Sequence, residues 1–262
     1  MFKIITPFFL FIAFFSFTAS ADFKKGFKAY QNKDYRTAHR EFLEDANKGV
    51  EEAQYNLGLL YEDGLGITQD YVEASRWFRK AANKGHILAQ YNMGLKHDLG
   101  NGLLQDYKEA VRWYNMAAEQ GHDLAQYALG IMYFEGLGVN RDYTKALNMY
   151  QAAAEKGYMV AQIELAQMYY LGQGALKDNT YAHMWWNIAS AYGSQVGQKN
   201  RNIVEKSMTT EEISYAQKLK EAGITSAFIS FLSHIPEKHD ALTGLENSFE
   251  PCVRGILALL EV

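Results

Sequence analysis

The chain encodes an all-α solenoid, a superhelix of stacked antiparallel helix pairs, and three observations point to it. The segment Ala53-Gln54-Tyr55-Asn56-Leu57-Gly58 returns at Ala89 to Gly94, at Ala125 to Gly130 and, more loosely, at Ala161 to Ala166, each step being 36 residues. The rest of the period keeps step: Asp70, Asp106, Asp142 and Asp178 align, as do Ala74, Ala110, Ala146 and Ala182, and Gly85, Gly121, Gly157 and Gly193. Within a period the apolar residues fall at helical spacing, and only 3 prolines accompany 21 glycines in 262 residues, which suits helices closed by glycine.

Residues 1–21 read as a secretory signal peptide. Lys3 is the one charge, Ile4 to Phe17 is apolar apart from Thr6, Pro7 and Ser16, and Ala19-Ser20-Ala21 offers the small residues signal peptidase accepts, so cleavage is expected before Asp22. The alternative is an uncleaved membrane anchor, although the apolar run is short against the roughly 20 residues a span needs. Cleavage would make the protein periplasmic or secreted, and no later segment reaches spanning length. Residues 22–50 form a related hairpin with a tighter loop, marked by Gly26, Ala29, Tyr30, Ala38 and Phe42, and suit an N-terminal cap of tetratricopeptide type.

Four periods then fill 53–196, as 53–88, 89–124, 125–160 and 161–196. In the first, Ala53, Leu57, Leu60 and Tyr61 share one helical face, and Gly64 ends the helix because glycine tolerates the left-handed conformation there. Asp70 is placed to cap a second helix whose buried face is Ala74, Trp77, Phe78 and Ala81. Residues 197–223 read as C-terminal capping helices, with Thr209 and Glu212 at capping-box spacing and Gly223 at the end. Residues 224–262 leave the period and form a tail with two apolar runs, Ile224 to Ile235 and Ile256 to Val262.

Composition and motifs exclude several chemistries. Lys+Arg is 26 against Asp+Glu 30 with no basic block, so nucleic acid is not an expected partner. A single cysteine, Cys252, cannot form a disulfide framework or a multi-cysteine zinc site. The Gly-x-Gly pairs lack the third glycine and the preceding strand of a dinucleotide fingerprint, so they read as loops between helices. No metalloprotease, serine-hydrolase or Walker-type motif occurs, and the carboxylates are scattered as on solvated faces. His86 and His122 lie one period apart and read as part of the repeat, while His39, His97 and His183 are isolated and His234 and His239 flank Pro236 without a ligand set. No catalytic residue, metal site or cofactor is assigned.

The pattern A-x-x-x-L-G-x-x-Y-x-x-G-x-G-V-x-x-D-x-x-x-A-x-x-W-x-x-x-A-A-x-x-G resembles the SEL-one-like repeat family, a relative of the tetratricopeptide repeats. It is carried here by Ala125, Leu129, Gly130, Tyr133, Gly136, Gly138, Val139, Asp142, Ala146, Ala153, Ala154 and Gly157. Met149 departs at the Trp position kept by Trp77, Trp113 and Trp185, His97 replaces a Tyr, and Ala166 replaces a Gly. The resemblance implies an α/α superhelix acting as a scaffold or adaptor. A cysteine-rich subgroup is associated with penicillin binding or weak β-lactamase activity. That cell-wall-active enzyme is the alternative function, but this chain lacks the subgroup's cysteines.

A non-catalytic scaffold with a protein or peptide partner is the expectation. In such stacks the first helix of each pair lines the concave side. This places Tyr55, Leu59 and Glu62 near the groove, with Tyr91, Leu95 and Asp98, then Tyr127, Ile131 and Phe134, then Ile163, Gln167 and Tyr170 at equivalent positions. The proposed partner-binding residues are the apolar and aromatic ones among these; packing between neighbouring repeats is their other reading.

Overall fold

A computed structural model describes residues 21–221. The expected signal segment, except for Ala21, lies outside the described residues, as do Gly223, the 224–262 tail, His234, His239 and Cys252. Among the described residues there are twelve α-helices, one 3-10 turn and no strand. The hairpin α1 (Ala21–Gln31) and α2 (Tyr35–Lys48) is followed by α3 (Glu51–Asp63) with α4 (Tyr71–Ala82), and α5 (Ile87–Leu99) with α6 (Tyr107–Glu119). Next come α7 (Asp123–Glu135) with α8 (Tyr143–Glu155), α9 (Met159–Leu171) with α10 (Asn179–Ala191), then α11 (Gln195–Val204), the turn Glu205–Ser207 and α12 (Thr210–Glu221). Each helix packs mainly on its neighbours in sequence, the contact pattern of a solenoid. The first helices begin two residues before the alanine that marks each period.

Side-chain chemistry fixes the helix ends. The carboxylate of Asp70 accepts from the amides of Val72 and Glu73 at 2.9 and 3.0 Å, Asp106 and Asp178 cap α6 and α10 in the same way, and Asp142 caps α8 through the Lys145 amide alone at 3.0 Å. Gly64 closes α3 in the left-handed conformation, φ 66°. Thr209 and Glu212 form the expected capping box: the Thr209 amide donates to Glu212 at 2.8 Å, and the Glu212 amide to the Thr209 hydroxyl at 3.2 Å.

Small residues in the period set how closely the layers approach. A Cβ on Gly94 would stand 2.4 Å from the Tyr114 ring, and the same contact recurs at Gly58 with Phe78 and at Gly130 with Tyr150. In these three pairs the aromatic ring of the second helix thus lies directly on the backbone of its partner, and burying such a ring contributes roughly 2–3 kcal/mol. The Gly-x-Gly pairs also have a structural explanation. Gly102 adopts φ 75°, and a Cβ there would stand 2.3 Å from the Tyr71 carbonyl oxygen. The loop of one period therefore rests on the start of the preceding second helix.

The repeat glutamine is a clasp between periods. Gln54, Gln90 and Gln162 are buried, and each donates its amide to a carbonyl near the end of the helix before it, Ala46, Ala82 or Ala154, at 3.0–3.2 Å. Each of those carbonyls also accepts the amide of the glycine three residues on, Gly49, Gly85 or Gly157, so the glutamine takes up the remaining acceptor capacity of the helix end, and each such bond contributes about 1 kcal/mol. At the edge of the stack, Lys84 donates to the Gly49 carbonyl, Gln120 to Gly85 and Lys156 to Gly121, each reaching back one period. Trp77, Trp113 and Trp185 are buried, whereas Met149 at the same position is only half-buried.

Candidate partner-binding surface

The candidate surface is the row formed by α3, α5, α7 and α9. Tyr55, Leu59, Tyr91, Leu95, Tyr127, Ile131, Phe134, Ile163 and Tyr170 are all half-buried: each has a packed side and an accessible side. The tyrosines are repeat-seam residues as well as surface ones. Tyr55 packs on Phe78 of its own pair, with ring centroids 5.7 Å apart, and stacks on His86, which precedes α5, at 4.5 Å. Tyr91 repeats this with Tyr114 at 5.8 Å and His122 at 4.7 Å. Tyr127 meets Tyr150 at 5.6 Å and, in place of a histidine, Tyr158 edge-on at 5.0 Å. Burial pushes the phenols of Tyr55, Tyr91 and Tyr127 up to about 12, so they stay neutral hydrogen-bonding groups at physiological pH.

The other members pack by their inner sides. Leu59 lies on the cluster of Ala74, Phe78 and Met93, and Leu95 on that of Tyr114 and Leu129. Ile131 and Phe134 lie on the last cluster, and Tyr170 packs on Trp186 at 5.6 Å. The tyrosine row ends at α9, where Ile163 takes that position.

Two groups on this surface were not singled out by the sequence reading for what they do. His86 and His122 cap α5 and α7, each Nδ1 accepting an amide three residues on at 3.2 Å. Burial holds both imidazoles below their usual pKa, in keeping with a neutral ring that accepts. Lys96 is 3% exposed at the α3/α5 seam, its ammonium 2.5 Å from Glu62 and near the rings of Tyr71 and Phe78 at 5.0 and 5.7 Å. Its signal in the sequence is a break of register: the period has Leu60, Lys96, Met132 and Met168 at this position.

Charge divides between the layers. Helices α3, α5, α7 and α9 carry eight carboxylates and one lysine, while α4, α6, α8 and α10 carry four carboxylates and six basic residues. Within the first layer, burial pushes the carboxyls of Asp63, Asp98 and Glu164 above their usual range.

Two further polar features lie near the C-terminal end of the stack. His183 is fully buried, with Nε2 2.8 Å from Glu205, and ties α10 to the turn after α11. A cleft beside the start of α10 is lined by Lys177, Thr180, Tyr181, Glu212 and Tyr215, and Asp178 at its edge caps that helix. Among the described residues no three histidine, cysteine or carboxylate side chains gather as a metal-binding group, and no helix is long and apolar enough to cross a membrane.

Known proteins place this geometry in a family. The Sel1 repeat model matches residues 51–86, 87–122, 123–158 and 160–194. The structure is similar to that of a protective antigen present in uropathogenic Escherichia coli strains that displays an SLR fold, with TM-score 0.70 and 29% identity over 84% of this chain and 48% of that one. This chain thus spans about half the length of that protein. It is also similar to a Sel1 repeat protein from Oxalobacter formigenes, with TM-score 0.64 and 34% identity over 68% of this chain and 76% of that one. No curated protein sequence matches significantly. The four matched repeats cover more than half of the 262 residues, and the chain belongs to the Sel1 repeat family.

Proposed function

We propose that the protein is an exported scaffold that holds a peptide or protein partner on the row of α3, α5, α7 and α9, without catalysing a reaction. The observation that carries this is the continuous row of half-buried aromatic and aliphatic side chains from Tyr55 to Tyr170, each with one side left accessible. Such rows give contact area and hydrogen-bonding tips at low entropic cost. Family membership supports the same reading, since Sel1 repeats are commonly interaction scaffolds. Export is supported by the sequence of residues 1–21. The similar Escherichia coli protein is described as a protective antigen, which agrees with a protein sent out of the cytoplasm.

Site-specific crosslinking tests the surface. A photo-reactive side chain at Leu95 or Ile131 should capture the same partner from a host envelope extract, and one at Arg76 or Arg112 on the second helices should not. Capture only from the second-helix positions would sink the proposal. N-terminal sequencing of the exported protein should begin at Asp22, and an intact Met1 on membrane-bound material would replace the soluble scaffold with an anchored one.

A further inference from the structure

The partner's chemistry follows from how this surface treats its one lysine. Lys96 is held by a carboxylate and two rings, which shows the row binding a cation at a seam. One period on, Asp98 stands where Glu62 stood, and Tyr107 and Tyr114 stand where Tyr71 and Phe78 stood, but Met132 has replaced the lysine. Asp98 accepts the Tyr114 hydroxyl at 3.2 Å, and no lysine or arginine among the described residues pairs with it. Glu164 on α9 lies at a different place in the period, that of Asn56, Asn92 and Ala128, but is a second half-buried carboxylate; it interacts electrostatically with Tyr127 and Tyr150 and has no basic partner among the described residues. A desolvated carboxylate without a counter-charge is costly, and a ligand cation relieves that cost. The excess of carboxylates over the whole layer attracts positive ligands from a distance and repels phosphates.

We propose that α5, α7 and α9 take an extended peptide carrying lysine or arginine, with its cations at Asp98 and Glu164 and its aliphatic stems against Tyr91 and Tyr127. This rests on the scaffold reading above and adds the charge of the partner to it. The seam between α3 and α5 is already closed by Lys96, so the peptide's cations come to the seams that lack an internal lysine.

The test uses the full exported chain and three pooled dodecapeptide libraries. They carry Lys or Arg, Asp or Glu, or Gln at four alternate positions and are randomised elsewhere. The basic pool should be retained and released by added salt. Asp98→Asn with Glu164→Gln should lower its affinity about tenfold, each substitution removing one half-buried ion pair. Glu109→Gln on α6 should leave it unchanged. The Asn and Gln variants keep shape and take a charge from half-buried positions, and helical circular dichroism checks that they fold. Equal retention of the Gln or acidic pool, or a double variant that binds the basic pool as before, overturns the charge assignment and leaves the scaffold standing. If no pool is retained and the Leu95 and Ile131 probes capture nothing, the scaffold reading falls and this inference with it.

Discussion

The second and fourth periods share a template and end in different surroundings. Helix α6 buries one stripe, Ala110, Val111, Trp113, Tyr114 and Ala117, and leaves the rest half-buried or exposed. Helix α10 buries the unbroken run Tyr181 to Trp186 and then Ala189. It is wrapped further round because α12 packs on it as well as α9 and α11. The first helices differ too. α5 starts from a histidine cap and lays Gly94 under Tyr114, whereas α9 starts at Tyr158 without a side-chain cap and has Ala166 at the glycine position. An interior repeat is therefore held to one face by similar neighbours on both sides, and a terminal repeat is shaped by whatever closes it.

The largest test concerns what the two periods share. Gly102→Ala and Gly174→Ala both force a side chain onto a left-handed backbone and into a carbonyl oxygen 2.3 Å away. Each should cost about 3–4 kcal/mol in urea unfolding, from strain and overpacking together. A much smaller loss at Gly174 than at Gly102 would show that the loops do not seat alike.

Next come the second-helix positions that the wrapping separates. His183 aligns with Val111. His183→Ala should destabilise by about 3 kcal/mol, by leaving a cavity in a covered helix and removing the bond to Glu205, which keeps only Arg201 at 3.5 Å. Val111→Ala, on a single-faced helix, should lose about 1–2 kcal/mol. Equal losses would mean that α12 adds nothing to the fourth period.

The exchange of glycine and alanine is a finer probe. Gly94→Ala should cost about 2 kcal/mol, because the clash with Tyr114 outweighs the gain in helix propensity. Ala166→Gly should cost about 1 kcal/mol through lost propensity and a small void. Thermal unfolding of both variants measures the difference.

The smallest effect is pH dependence at the starts of α5 and α7. Burial lowers the pKa of His86 and His122, so the unfolded chain binds protons first as pH falls below about 6.5. Stability from these caps is full above that pH and is lost as pH drops toward the folded values. The raised carboxyls of Asp98 and Glu164 act with the opposite sign and at more acidic pH, where they favour the folded form. Asparagine caps a helix without titrating, so His86→Asn with His122→Asn should remove the part of the loss that begins near 6.5, about 1 kcal/mol per cap. α9 starts without a histidine, so it should be insensitive to pH in this window.

Much of the fold was legible before any coordinates. Asp70 and its repeats cap, the Thr209 and Glu212 box forms, and the alanine and tryptophan faces are buried, because each depends on local geometry repeated at a fixed interval. The candidate surface was legible only as a set of positions. The spacing put Tyr55, Tyr91 and Tyr127 in a row, but not their ring contacts with His86, His122 and Tyr158, which sit about thirty residues on at the starts of α5, α7 and α9. Gln54, Gln90 and Gln162 were visible as a repeated residue with no visible task, since the carbonyls they clasp belong to the helix before.

The sequence by itself determined the period, the pairing of helices and which face each helix buries, because these follow from side-chain size and backbone preference within 36 residues. Only the tertiary structure decided which groups meet across a seam: that Lys96 is neutralised by Glu62, that no lysine or arginine among the described residues pairs with Asp98, and that α12 packs on α10. Those outcomes depend on distances between residues far apart in the chain, and packing, not local propensity, sets them.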